Sequence, residues 1–280
     1  MHHPSSQSLW HRLQWCGATD RGKIRSNNED AFLGLQLNAN EVHHLGRHGE
    51  GSTETTDFAF AVSDGMGGAA GGEFASRITV DRVTHLLQRS FKQSATGIEI
   101  YFADIFTTLF DQIHRSLMLV GQSYAECAGM GATLSICWFT RSWMYFGHIG
   151  DSRIYYLPAQ EASIKQISAD DTHVGWLHRN GQINERQART HPRRNLLQKA
   201  LGAGNQFVNP QVGAVGYKRG DVFLLCSDGL VDGLYNDQIF GILRSPGALQ
   251  RDQSIAQRLV QASLDAAGRD NTTAIVIKVA

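Results

Sequence analysis

The chain is 280 residues long and 42% hydrophobic, and its 26 Lys+Arg balance 26 Asp+Glu, so the net charge is zero with neutral histidines. A chain of that size buries a sizeable core in one large domain or two small ones, and its charge balance argues against nucleic acid, whose phosphate backbone selects a basic surface. No apolar run approaches the roughly 18–20 residues that span a bilayer, and the start holds no stretch of signal-peptide type.

Residues 1–14 are polar and read as a flexible tail, followed by one domain over 15–280. A strand is expected near Trp15–Asp20, then a turn at Arg21-Gly22-Lys23 and a second strand over Ala31–Leu37. The polar stretch Asn38–Asp57, with His43, His44 and His48, reads as a long exposed loop; no acidic or Cys residue stands at ligand spacing from those histidines. Phe58–Ser63 alternates and runs into Asp64-Gly65-Met66-Gly67-Gly68, where glycines let backbone approach a ligand closely. Two helices follow by spacing, one carrying Phe74, Ile78, Val83, Leu86, Leu87 and Phe91, the other Ile98, Phe102, Ile105, Phe106, Leu109, Ile113 and Leu117. Both apolar stripes need a sheet to cover.

Gly129–Gly131 reads as a turn, Ala132–Phe139 and Trp143–Ile149 as a hairpin, and Arg153–Leu157 as a further strand. Ile167–Gln198 differs from its surroundings: it is polar, rich in His and Arg, and holds short helical stretches near Val174–Asn180 and Glu185–Arg189. It reads as an appended flap. Val212–Ala214 and Val222–Ser227 are strands, Ile255–Ala266 is a helix, and Thr272–Val279 is a closing strand with Ala274, Val276 and Lys278 against Ile275, Ile277 and Val279. Strands interrupted by paired helices indicate an α+β layered fold. The four scattered cysteines, Cys16, Cys127, Cys137 and Cys226, form no CxxC and read as reduced thiols of a cytoplasmic protein.

Four hydrophobic runs end in an aspartate beside glycine or asparagine: Asp64, Asp151, Asp228 and Asp270. A further acidic pair, Glu29-Asp30, lies near the start. Carboxylates at strand ends are displayed at the rim of a sheet, where sites far apart in sequence can meet. Gathered carboxylates repel one another unless hard cations such as Mg²⁺ or Mn²⁺ neutralise them.

With Arg25-Ser26-Asn27-Asn28-Glu29-Asp30, Asp64-Gly65-Met66-Gly67-Gly68, Gly131-Ala132-Thr133-Leu134, Gly150-Asp151-Ser152-Arg153, Ser227-Asp228-Gly229-Leu230 and Asp270-Asn271 in this order, the chain resembles the metal-dependent protein serine/threonine phosphatases of type 2C, the PPM family. The likeness runs from about Gly17 to Val279. The Asp-Gly-Met-Gly-Gly form and the stretch Arg189–Asn195 resemble the bacterial branch. The resemblance implies a four-layer αββα sandwich of two antiparallel sheets flanked by helix pairs, with the metals at one end and the segment at about 167–198 as a flap beside them.

It implies further that two Mn²⁺ or Mg²⁺ ions clamp a phosphate and lower the pKa of a bridging water, whose hydroxide attacks directly. Asp64 bridges both ions, the Gly65 carbonyl is a ligand, Asp228 and Asp270 hold one ion, and Glu29 and Asp30 act through water. Asp151, with Asp228, takes a third, weaker ion. Arg25 forks onto the phosphate oxygens. Where many members carry a histidine at or just after the glycine segment, this chain has Met66 and Ala69, neither of which donates a proton. The general acid is left open between a metal-bound water and His173 or His191 of the flap. The implied partners are phosphorylated proteins and an opposing Ser/Thr kinase, with no membrane partner and a monomeric state. The alternative is a catalytically weak or inactive member that binds phosphoproteins as a regulator.

Overall fold

The computed structural model describes residues 10–38, 41–67, 71–95, 101–244 and 253–280. The elements in chain order are β1 (Arg12–Asp20), β2 (Asp30–Leu37), β3 (Val42–His44), β4 (His48–Ser52), β5 (Asp57–Met66), α1 (Gly71–Ala95), α2 (Phe102–Ser123), β6 (Gly131–Ala132), β7 (Leu134–Phe139), β8 (Trp143–Ile149), β9 (Arg153–Leu157) and β10 (Lys165–Gln166). They continue with α3 (His173–Arg179), α4 (Glu185–Thr190), β11 (Leu201–Gly202), β12 (Gln211–Gly216), β13 (Val222–Cys226), α5 (Asp228–Gly233), α6 (Asn236–Arg244), α7 (Ile255–Ala266) and β14 (Thr272–Val279).

Two antiparallel sheets form the middle of the molecule. The first has the order β10–β9–β13–β14–β1–β4. The second runs β3–β2–β5–β7–β8–β12, with the short β6–β11 ladder continuing from the end of β5. Alternation explains the layering, because successive strand residues face opposite sides. Phe58, Phe60 and Val62 of β5 meet Phe223, Leu225, Ile275 and Ile277 between the sheets. Ala59 and Ala61 face the other way, onto Phe106, Leu109, Ile113 and Leu117 of α2 and Val83 and Leu87 of α1. Val222, Leu224, Ala274 and Val276 cover the opposite outer face with Ile239 of α6 and Leu259 of α7. The result is the four-layer αββα sandwich that the motifs implied. Each fully buried aromatic or aliphatic side chain in it contributes about 1.5–3 kcal/mol.

Several expectations need correction. β1 begins at Arg12, inside the stretch read as tail; residues 1–9 lie outside the described residues. The stretch at 38–57 is not one exposed loop, because β3 pairs with β2 and β4 with β1, so this segment passes from the edge of one sheet to the edge of the other. The reason the pattern was silent is visible in β4: the Trp15 and Phe58 rings lie over Gly49 and Gly51, leaving no room for the side chains that carry an alternation. His43 is paired with Glu41 at 2.8 Å. Phe74 is 51% exposed, and Ala75 and Thr79 occupy the buried face of α1 instead. Ile98 lies outside the described residues. The four cysteines are unpaired, three of them buried.

Candidate active site

The strand ends deliver the acidic residues to one rim. Asp30 opens β2 and stands in register opposite Asp64 near the end of β5. Asp228 opens α5 directly after β13, Asp270 precedes β14, and Asp151 follows β8. Glu29 precedes β2, and the Gly65 amide donates to its carbonyl at 3.1 Å. The backbones of Gly65 and Gly72 abut so closely that a Cβ at either would clash, and the Glu29 carboxylate lies above Gly72. The carboxylates sense one another. Burial, then Asp30, Asp228, Asp151 and Asp270, push the Asp64 pKa well above the ordinary value. Burial, then Asp151 and Asp270, do the same to Asp228. Burial raises Asp30 to about 6, although Ser227 and Thr273 oppose it by hydrogen bonding. Burial and then Asp170 raise Asp151 to about 7, and burial raises Glu29.

Asp30, Asp64 and Asp270 are placed by groups that come from elsewhere in the chain. Asp30 Oδ2 accepts from Ser227 Oγ and Thr273 Oγ1, both at 2.7 Å. Asp64 is tied to Thr133: its amide donates to Thr133 Oγ1 at 2.9 Å, and the Thr133 amide donates to the Asp64 carbonyl at 2.8 Å. Asp270 Oδ2 accepts from Arg25 Nη2 at 2.7 Å. Asn271 staples the loop of Arg25 to the start of β14. Its Oδ1 accepts from the Glu29 amide at 2.7 Å, and its Nδ2 donates to the carbonyls of Arg21 and Asn27 at 2.8 and 2.9 Å.

Among the described residues no three His, Cys, Asp or Glu side chains stand ready-made at metal-ligand spacing. Arg25 and the hydroxyls of Ser227 and Thr273 take up part of the donor set. The chemistry of the rest nevertheless suits a hard cation. Asp30 Oδ1 and Asp228 Oδ1 are buried with no hydrogen-bond partner, and mutually repelling, oxygen-only donors are what divalent Mg²⁺ and Mn²⁺ select. An orphaned buried carboxylate oxygen is costly unless a positive charge meets it.

Beside this rim the flap closes a cleft of about 130 Å³, whose wall includes Asp151, Asp228, Asp232, His178, Arg189 and Arg194. Sequence reasoning gave no role to Asp232, Arg194 or His178. Arg194 Nη2 reaches Asp232 Oδ2 at 3.2 Å, and no local pattern signals a pair 38 residues apart. Two arginines anchor the flap. Arg189 donates to the carbonyls of Leu234 and Asp232 at 2.9 and 3.0 Å and lies 3.8 Å over the Tyr235 ring. Arg153 holds Asp170 at 2.7 Å. Neither flap histidine proposed as acid lines the cleft. His173 stacks on Trp176, and His191 Nδ1 accepts from the Arg193 amide at 3.1 Å. β5 runs past the expected end at Ser63 and closes on Met66, and Ala69 lies outside the described residues.

The family model for protein phosphatase 2C matches residues 47–264. The serine/threonine protein phosphatase PstP of Mycobacterium tuberculosis is 31% identical over 95% of the chain, and the chain spans 45% of the length of that relative. The serine/threonine phosphatase stp of Listeria welshimeri is 28% identical, with 93% of each chain covered. Among solved structures, the Streptococcus agalactiae serine/threonine phosphatase superposes with a TM-score of 0.75 at 26% identity, covering 96% of this chain and all of its own. The catalytic domain of PstP in complex with two manganese ions does so with a TM-score of 0.72 at 27% identity, covering 96% of this chain and 98% of its own.

Proposed function

The chain belongs to the protein phosphatase 2C family, and from that premise we propose that it is a metal-dependent protein serine/threonine phosphatase of the bacterial type, hydrolysing phosphoserine and phosphothreonine. The observation that carries this reading is the meeting of Asp30, Asp64, Asp228 and Asp270 at one rim, each raising the charge cost of another, with Arg25 seated on Asp270. The names of the relatives, all phosphatases, do not favour the non-catalytic alternative.

Asp64, the Gly65 carbonyl, Asp228 and Asp270 are the groups to hold two Mn²⁺ or Mg²⁺ ions, Glu29 and Asp30 act through water, and Asp151 with Asp228 takes a third, weaker ion. When bound, the ions supply positive charge against the phosphoryl oxygens and lower the pKa of water at the site. The chain's own residues do the rest. Arg25, half-exposed on its loop, turns its guanidinium fork to two phosphate oxygens, a geometry that lysine lacks. Asn271 and Thr133 hold the Arg25–Asp30 loop and Asp64 in place, so that little ordering cost falls on the reaction. The flap over 167–198 bounds the cleft in which the phosphorylated segment is oriented.

The partners follow from this activity: phosphorylated proteins and an opposing Ser/Thr kinase, met by a monomer in the cytoplasm. The unpaired cysteines support a reducing compartment. Among the described residues no helix is long and apolar enough to cross a membrane. The test is hydrolysis of a phosphothreonine peptide with and without Mn²⁺ by wild type and Asp228→Ala. Metal-dependent turnover that falls at least tenfold in the folded variant is the expected result. Turnover that survives chelation, or is equal in Asp228→Ala, overturns the reading.

A further inference from the structure

His148, in β8, is a buried ionisable side chain to which the chemistry above gives no task. It is fully enclosed, and both its ring nitrogens are committed. Nε2 lies 3.1 Å from the Gly150 carbonyl oxygen, and Nδ1 lies 2.8 Å from Ser135 Oγ, its cross-strand neighbour in register on β7. A carbonyl only accepts, so Nε2 carries the proton; burial holds the ring neutral, and Nδ1 accepts from the serine. A leucine would fill such a space without polar groups to satisfy. The imidazole instead spends its hydrogen bonds on the Gly150 carbonyl, with the Ala169 backbone also bearing on the ring, and on the hydroxyl that sets its tautomer.

That carbonyl is gripped from a second side. The Asp171 amide donates to the same Gly150 oxygen at 2.7 Å, and Asp171 Oδ2 accepts from the Gly150 amide at 3.1 Å. Asp171 sits where the flap leaves and rejoins the core: its carbonyl accepts from the Gln198 amide at 2.8 Å, and Lys199 reaches its carboxylate at 3.3 Å. Gly150 itself has φ +108°, and a Cβ there would stand 2.5 Å from Thr133 Cγ2. The next residue is Asp151. The Gly150 carbonyl and the Asp151 nitrogen and Cα share one rigid peptide plane, so whatever fixes the oxygen fixes the base of the Asp151 side chain. Ser152 completes the anchorage through Thr133, whose Oγ1 lies 2.7 Å from Ser152 Oγ and also accepts from the Asp64 amide.

We propose that His148 is a positioning residue: from the sealed core beneath the rim its Nε2–H, jointly with Asp171 at the stem of the flap, fixes the Gly150 peptide and thereby the direction in which Asp151 presents its carboxylate to the cleft. This rests on the reading of Asp151 as a ligand of a weaker third ion. His148 touches neither substrate nor metal and acts through Asp151 alone.

The experiment is a double-mutant cycle on the full chain, read by phosphopeptide kinetics and by Mn²⁺ titration calorimetry, which does not depend on turnover. His148→Leu lowers kcat about tenfold, as expected for a small misplacement of an acting group, leaves KM within about twofold, and weakens the weaker class of Mn²⁺ sites while the tight class stays in place. Asp151→Ala shows the same signature, and adding His148→Leu to it causes no further loss. His148→Gln, which keeps an Nε–H donor at similar reach, recovers most of the loss. Ser135→Ala, the milder change should His148→Leu fail to fold, shows the same pattern at smaller size. Losses that multiply in the double variant, or a tight class of sites that weakens with the loose one, overturn the assignment. An Asp151→Ala variant with wild-type turnover and an unchanged weak class overturns instead the reading of Asp151 on which it rests.

Discussion

The carboxylate rim and the flap sit side by side and are held together in opposite ways. The rim is fixed by ties between residues distant in the chain: Arg25 to Asp270 across 245 positions, Glu29 to Asn271 across 242, and Asp30 to Thr273 across 243. The flap is built from short local units. Asn184 and Gln187 form a capping box at the start of α4, Thr172 caps α3, and few of its side chains are buried. Its Arg189 and the core residue Arg153 then clamp it to the core. Charge that must be held against its own repulsion needs a scaffold in which both sheets take part. A segment that borders a cleft needs only enough attachment to stay in place.

Breaking the scaffold should show the contrast most strongly. Phe60→Ala empties a fully buried site between the sheets, and a loss of about 3–5 kcal/mol is expected from urea unfolding. Trp176→Ala, on a flap residue 46% exposed, should stay within about 0.5 kcal/mol. Equal losses would mean that the flap shares the core. The next largest effect belongs to Asn271→Ala, which removes three hydrogen bonds of the rim. About 2–3 kcal/mol of stability is at stake, together with a lower Mn²⁺ affinity by calorimetry, since the loop of Glu29 and Asp30 loosens. A variant with unchanged Mn²⁺ affinity would place the staple outside the site.

Arg189→Ala removes two hydrogen bonds and a ring contact from the flap clamp. It should cost about 1–2 kcal/mol locally. Faster amide exchange confined to residues 185–195, with the exchange of β5 and β14 unaltered, is the expected pattern. Spread of the effect into those strands would show that flap and rim unfold as one unit.

The smallest prediction sharpens the contrast between clustered carboxylates and a solitary one. Asp57 accepts from Trp138 Nε1 at 2.9 Å, and burial raises its pKa to about 6. Its folded-state pKa lies above the unfolded value, so protonation favours the fold: that contribution is complete below about pH 4 and is lost as pH rises through about 6. Asp57→Asn keeps an acceptor for Trp138 and removes the charge. A gain of about 1–2 kcal/mol at pH 8 that vanishes at pH 4 is expected in urea midpoints. A gain of the same size at both values would assign the effect to packing.

Much of this organisation is written locally. Alternation in Phe58–Ser63 and Thr272–Val279 sorts residues between the inner and outer faces of the sheets, and the helical stripe of α2 marks its buried side. The acidic set was legible because Asp64, Asp151 and Asp228 end hydrophobic runs and because Glu29-Asp30 and Asp270-Asn271 stand in the order of the motifs. Phe74 misled because a helical spacing of apolar residues does not say which member of the stripe faces outward. β4 was missed because its glycines, packed under Trp15 and Phe58, carry no pattern at all.

The sequence by itself therefore determined most of the long strands of the sandwich and its helices α1, α2 and α7, the strand-end placement of Asp30, Asp64, Asp151, Asp228 and Asp270, and the family to which those motifs point. Only the tertiary structure decided which groups hold these carboxylates: Arg25 on Asp270, Asn271 under the Glu29 loop, Ser227 and Thr273 on Asp30, and His148 beneath the turn of Asp151. The physical reason is one of range. Periodicity and turn chemistry act over a few residues along the chain, whereas a hydrogen bond forms only at about 3 Å in space, and which residues come that close is settled when the two sheets pack.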